Sequence, residues 1–173
     1  MNASRPERVH IMGGAGSGKS YLAERLGRAL DLPICDLDDL FWASDQNTYD
    51  VPAKPDQRDE RLRQFVARNR WIVEGVYHQW VGESFQRADV ILLLTPRLIL
   101  RDGRIVRRFL FRKFGFVETT KKETLAGLVS LIRWNHAYDG DNLGRALACL
   151  KPHEHKLHTF SSADQAAAFV LGL

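Results

Sequence analysis

The chain has 173 residues, 45% hydrophobic and 27% charged, a balance of ordinary globular domains and a length that suits one domain with its own core. No apolar run approaches the ~20 residues of a membrane-crossing helix. The opening MNASRPERVH lacks the apolar segment of a secretory signal, so a cytoplasmic protein without membrane attachment is expected. The net charge of +4 favours anionic partners: nucleic acid, a membrane surface or a phosphorylated small molecule. Cys35 and Cys149 lie in apolar surroundings without metal-like spacing and read as buried free thiols of a reducing compartment.

In chain order, residues 8–12 read as a buried strand that ends at a glycine cluster. Residues 20–30 place Leu22, Leu26 and Leu30 at helical spacing, and Pro33 closes that helix. "PICDLDD" is a short second strand ending in carboxylates, and the polar, proline-bearing stretch 44–56 is a loop. Leu62, Phe65 and Val66 mark a helix over 57–69. "RWIVEG" is a third strand, and "DVILLLTP" a fourth, apolar on both faces as central parallel strands are. Helices follow over 97–114, 121–138 and 142–150. "KLHTF" is a fifth strand, and Ser162 with Gln165 forms a capping-box start for a last helix. Strands alternating with helices predict an α/β protein with a parallel sheet covered on both faces. Such sheets bind ligands at the carboxyl ends of their strands. Residues 13–20, Asp36 with Asp38, and Glu74 all fall at such ends.

The glycine cluster, GGAGSGKS, fits G-x-x-x-x-G-K-[ST] between a strand and a helix. Gly13, Gly14, Ala15, Gly16, Ser17, Gly18, Lys19, Ser20 and Tyr21 are therefore the expected nucleotide cradle. A loop without Cβ atoms wraps a phosphate closely, and the helix N-terminus adds unpaired N–H groups and a positive dipole end. Lys19 reaches the β- and γ-phosphates, and Ser20 offers its hydroxyl to Mg²⁺. The expected cofactors are ATP, or GTP, with Mg²⁺.

A basic segment follows the fourth strand: Arg97, Arg101, Arg104, Arg107, Arg108, Arg112 and Lys113, opposed only by Asp102. Arg104, Arg108 and Arg112 are four apart and share one helical face, with Arg101 on or near it. That face is either solvated or closes over phosphates. Asp36 and Asp38, two apart, point the same way if both are on the strand, and Asp39 is expected to cap the next helix. Arg58, Arg61 and Arg68 are candidates for an acceptor's own phosphate. Trp42 is the tryptophan placed to touch substrate, and Trp71, Trp80 and Trp134 read as core or pocket wall. His153, His155 and His158 read as exposed, with a zinc pair on a strand edge as the alternative.

The motifs GGAGSGKS, DLDDLFW, RWIVEGVY, ADVILLL and RIVRR resemble the FlaR-related, or DNA topology modulation, family of small adenylate-kinase-like P-loop kinases, over about residues 8–135. The resemblance implies a three-layer P-loop fold with a five-stranded parallel sheet and a mobile arginine-bearing helical lid. It implies one domain over 1–173, an acceptor segment at about 40–70 and a lid at about 101–140. Arg104 then covers adenine and Arg108 reaches the phosphates, with Arg112 beside them and Arg133 on the second lid helix. Asp38 meets the acceptor, as its base, and Asp36 stands in the metal's outer shell. Glu74, where relatives carry Asp, and Tyr77 contact metal-bound water or acceptor, or else pack. Ser20 is the one expected metal ligand, because no apolar run ends in Asp as a usual Walker B strand does. The functional expectation is an ATP-dependent phosphotransferase with a small hydroxyl- or phosphate-bearing acceptor. The alternative is a nucleotide-regulated nucleic-acid-binding protein. A GTPase switch lacks an N/T-K-x-D motif here.

Overall fold

The computed structural model of the chain describes residues 5–42, 51–114 and 124–172. Most of the expected 44–56 loop, the start of the 121–138 helix and parts of the expected acceptor and lid segments lie outside the described residues. The elements run β1 (Arg8–Gly13), α1 (Lys19–Leu30), β2 (Ile34–Asp36), α2 (Leu37–Phe41), α3 (Pro55–Val66), β3 (Trp71–Gly75), α4 (Gly82–Arg87) and β4 (Val90–Leu94). They continue with α5 (Leu98–Lys113), α6 (Leu125–Ala137), a π turn (Tyr138–Asn142), α7 (Leu143–Leu150), a 3₁₀ turn (Lys151–Lys156), β5 (Leu157–Phe160) and α8 (Ala163–Leu171).

All five strands are parallel, in the order β2-β3-β1-β4-β5. Alternation along each strand divides the core into two halves. Met12, Trp71, Val73, Ile91 and Leu93 pack under α2, α3, α4 and α7. Val9, Ile11, Ile72, Val90 and Leu92 pack under α1 and α8. This is the expected three-layer arrangement. Because β1 has β3 on one side and β4 on the other, the chain leaves it in opposite directions. The crevice at its carboxyl end is the place where such sheets hold ligands.

Several local expectations need correction. Cys35 is buried, but Cys149 is exposed, one position off the Ala146 and Leu150 stripe that α7 buries. His153 and His155 sit in the 3₁₀ turn, not on a strand edge, and the His153 ring lies against Phe85. Ser162 caps α8 by accepting from the Gln165 amide, while the Gln165 side chain takes its hydrogen bond from Ser161.

His10, mid-strand in β1, is fully buried with Nδ1 2.8 Å from Ser84 Oγ and its ring edge-on to Phe85. Burial lowers its pKa from 6.5 to about 3, so it is neutral in the folded chain. The unfolded chain then binds a proton that the native chain refuses. Stability is full above pH ~6.5 and is lost as the pH falls towards 3, by roughly 4 kcal/mol at the end of that range. Urea denaturation across this range should show the slope in the wild type and a shallower one in His10→Asn.

Candidate active site

The phosphate loop is bent by backbone conformations that side-chain-bearing residues resist. Gly16 has φ +72, and a Cβ there would lie 2.5 Å from the Arg101 carbonyl oxygen. Gly18 caps α1 at φ +98, and α1 opens at Lys19, so the unpaired amides of its first turn face the crevice. Arg104 Nη1 donates to the carbonyls of Gly16 (3.1 Å) and Ser17 (3.2 Å). Across a trans peptide the Ser17 carbonyl and the Gly18 N–H point opposite ways. Holding the Ser17 carbonyl therefore fixes the direction of that N–H as well.

Three carboxylates gather on the neighbouring strand ends. Glu74 pairs in register with Ile11 of β1 and Asp36 of β2. Its Oε1 accepts from the Ser20 hydroxyl at 2.6 Å. The apolar run Trp71-Ile72-Val73 thus does end in a carboxylate beside the loop serine, carried one methylene further out than an aspartate. Asp36 and Asp38 do not share a strand. β2 ends at Asp36, whose carboxylate caps α2 by accepting from the Asp38 amide at 2.8 Å. Asp39, the residue expected to cap, is exposed. Asp38 lies in the first turn of α2 and accepts from the Tyr77 hydroxyl at 2.8 Å.

Lys19 stands among them. Its Nζ donates to the Gly14 carbonyl at 3.4 Å. Burial lowers its pKa, Glu74, Asp38 and Asp36 raise it, and Arg108 is close enough to lower it further. Burial, and then the Glu74 charge, push Asp36 up to about 7, against the stabilising hydrogen bond from Asp38. Burial raises Glu74 as well, partly offset by Lys19 and Ser20. Carboxylates held this way are short of positive charge. Their hard oxygens and the Ser20 hydroxyl suit a small divalent cation. Among the described residues no three His, Cys, Asp or Glu side chains converge to cage one. The set fits an ion that keeps waters and takes phosphate oxygens, as Mg²⁺ does.

Aromatic rings wall the far side. Tyr77 stacks on Phe41 (4.8 Å) and tilts against Trp80 (5.3 Å), and Trp42 stands edge-on to Phe41. The Arg58 guanidinium lies 4.3 Å above Trp80, pairs with Asp59 at 2.8 Å, and is felt at the Tyr77 hydroxyl. Arg61 is exposed and Arg68 lies over Phe65, so of the three Arg58 is the one that joins the aromatic wall.

The basic helix divides in two. Arg104 faces the phosphate loop, and Arg108 and Arg112 continue that face one and two turns on. Arg101 departs from it: it is buried and paired with Asp139. Arg133 and Tyr21 are exposed.

The solved structures most similar to this arrangement include a gluconokinase from Sinorhizobium meliloti 1021 (TM-score 0.57, 14% identity, 98% of this chain and 92% of that one). They also include a shikimate kinase from Acinetobacter baumannii in complex with shikimate (TM-score 0.54, 14% identity, 98% and 94%). The chain has a P-loop kinase fold. No protein-family model matches it. A curated relative, the uncharacterized protein YqaC of Bacillus subtilis (strain 168), is 26% identical over 153 residues, spanning 85% of this chain and 80% of its own length. In the described part of this P-loop kinase fold no helix is long and apolar enough to cross a membrane.

Sequence reasoning missed the Ser20–Glu74 hydrogen bond, the Tyr77–Asp38 hydrogen bond and the burial of Arg101. The first was legible in outline, since a strand ending in a carboxylate was visible and only the identity of the acid obscured it.

Proposed function

We propose that the chain is a Mg²⁺-dependent kinase that transfers the γ-phosphate of ATP to a hydroxyl of a small acceptor, and that it belongs with the FlaR-related P-loop kinases whose motifs it resembles. It works as one domain, with an acceptor segment at about 40–70 and a lid at about 101–140. The observation that carries this reading is the convergence, on one crevice, of Lys19, the Ser20–Glu74 pair, Asp36 and Asp38. Phosphoryl transfer is chiefly positioning and charge neutralisation, and these groups supply both. Residues 13–20 hold the triphosphate. Lys19 and the arginines 104, 108 and 112 balance its charge. Ser20 would hold Mg²⁺ directly, with Glu74 and Asp36 through water, and the metal would supply positive charge that neutralises the triphosphate.

Asp38 then faces the acceptor as its base, with Tyr77 orienting the carboxylate and Trp42 closing the wall. A hydroxyl acceptor fits this carboxylate better than a second phosphate, which Asp36 and Asp38 would repel. The similarity in fold to a gluconokinase and a shikimate kinase agrees with that choice. Arg58, on the same wall, would accommodate an acceptor that also carries an anionic group. The burial of Arg101 against Asp139 and the hydrogen bonds of Arg104 to the loop carbonyls weigh against a nucleic-acid-binding face on α5.

The test is ADP release from Mg-ATP across a panel of sugars, hydroxy acids, nucleosides and nucleoside monophosphates. At least one hydroxyl acceptor should raise release well above the Lys19→Ala background. A panel that never exceeds that background, with folded protein, overturns the proposal.

A further inference from the structure

We infer that Arg101 is a positioning residue that holds the phosphate loop in its binding shape and ties it to the helical run after the basic helix. This rests on the reading of residues 13–20 as the nucleotide-phosphate cradle. Arg101 is 2% exposed and touches the loop twice. Its Nη1 lies 2.5 Å from where a Cβ on Gly14 would stand, and its own carbonyl oxygen lies 2.5 Å from the same point on Gly16. Its guanidinium pairs with Asp139 at the start of the π turn. Tyr138 and Asn135 crowd the same Gly14 position, at 3.0 and 3.3 Å. One residue along, Asp102 accepts from Asn135 Nδ2 at 2.9 Å and pairs with His136 Nε2 at 2.8 Å, fastening α5 to α6.

The wide turn comes where the helical run passes from α6 to α7, and α7 is anchored in the core by Ala146 and Leu150. Single π turns inside helices are frequent at functional sites. Loop, Arg101, Asp139 and anchored helix therefore form one continuous connection.

Stability alone does not explain an arginine here. The buried stripe of α5 is Arg101, Ile105 and Phe109, and an apolar residue would complete it. Arg101 Nε, Asn135 Oδ1 and Tyr138 OH are buried without a hydrogen-bond partner among the described residues. Buried charges and unpaired polar atoms are usually less stable than a well-packed apolar side chain. What the arginine side chain adds is a rigid planar fork against Gly14, a residue with the freedom to collapse the cradle, while the contact at Gly16 is made by the Arg101 backbone.

The experiment measures binding of a non-hydrolysable Mg-ATP analogue and of inorganic tripolyphosphate by calorimetry, with melting temperatures recorded in parallel. Arg101→Lys should weaken both ligands about tenfold, the scale of loss when a supporting contact misplaces a site. Its melting temperature should stay close to the wild type. Asp139→Asn keeps the arginine and removes only its partner; it should weaken both ligands by a smaller factor, and the double variant should bind no worse than Arg101→Lys alone. Should Arg101→Lys fail to fold, Asp139→Asn carries the test with the same readouts. Unchanged affinity for both ligands in the folded variants overturns this inference and leaves the kinase reading intact. A wild-type chain that binds neither ligand overturns the kinase reading and this inference with it.

Discussion

Lys19→Ala is expected to lower ADP formation by ~10²–10³-fold or more, the scale lost when one preorganised positive donor is removed from a developing charge. The arginines that touch the loop are otherwise engaged. Arg104 donates to the loop carbonyls from outside, and Arg101 is paired with Asp139. Lys19 interacts with all three acids, Glu74, Asp38 and Asp36, beside the loop, and the Arg108 charge is felt there as well. A second readout separates loss of charge from loss of shape. Without the ammonium, the carboxylates repel whenever they are ionised. Asp36 is protonated in the native chain below about pH 7, so acid relieves that repulsion. The variant should therefore melt further below the wild type at pH 8 than at pH 6. Turnover within threefold of the wild type, or a melting deficit that grows in acid, would contradict this account.

The elements legible in the sequence are those whose physics is local. Glycine spacing announced the phosphate loop because glycine most readily adopts the φ of Gly16 and Gly18, and a Cβ at Gly16 would meet the Arg101 backbone. Continuous apolar runs announced β1, β3 and β4 because strands buried on both faces need them. What stayed hidden depends on one residue of offset. β2 is three residues long, so a single step decides whether Asp38 extends a strand or opens a helix; the carboxylate of Asp36, capping α2, decides it. Arg101 was grouped with Arg104, three positions on, yet its true companions are Ile105 and Phe109 at four and eight. A four-residue count starting at each arginine would have placed it on the buried stripe. α4 and the π turn are each under two turns of helix, too short for periodicity to register.

The second large effect is expected at Asp38. Asparagine has nearly the same shape and keeps an oxygen for the Tyr77 hydroxyl, so α2 and the aromatic wall are undisturbed in Asp38→Asn. It takes up no proton. If Asp38 removes the acceptor's hydroxyl proton, kcat should fall by ~10²–10⁴-fold, the usual contribution of a positioned base. Nucleotide affinity should hold, because the proposed reading assigns the triphosphate to the loop and α5. Asp36→Asn makes the informative contrast. Asparagine caps helices as well as aspartate does, so α2 survives that change too. Asp36 stands in register with Glu74 on the neighbouring strand, and the signature of its loss should be a higher magnesium requirement with a much smaller fall in kcat. Two acids of like chemistry, two residues apart, are thus told apart by where each is fastened: Asp36 to a backbone amide, Asp38 to a phenol in the aromatic wall. The reverse pattern, with Asp38→Asn shifting only the magnesium dependence and Asp36→Asn abolishing turnover, would exchange the two assignments. Near-wild-type kcat in Asp38→Asn would leave Asp38 as a group that positions the acceptor and would move the proton to the triphosphate itself.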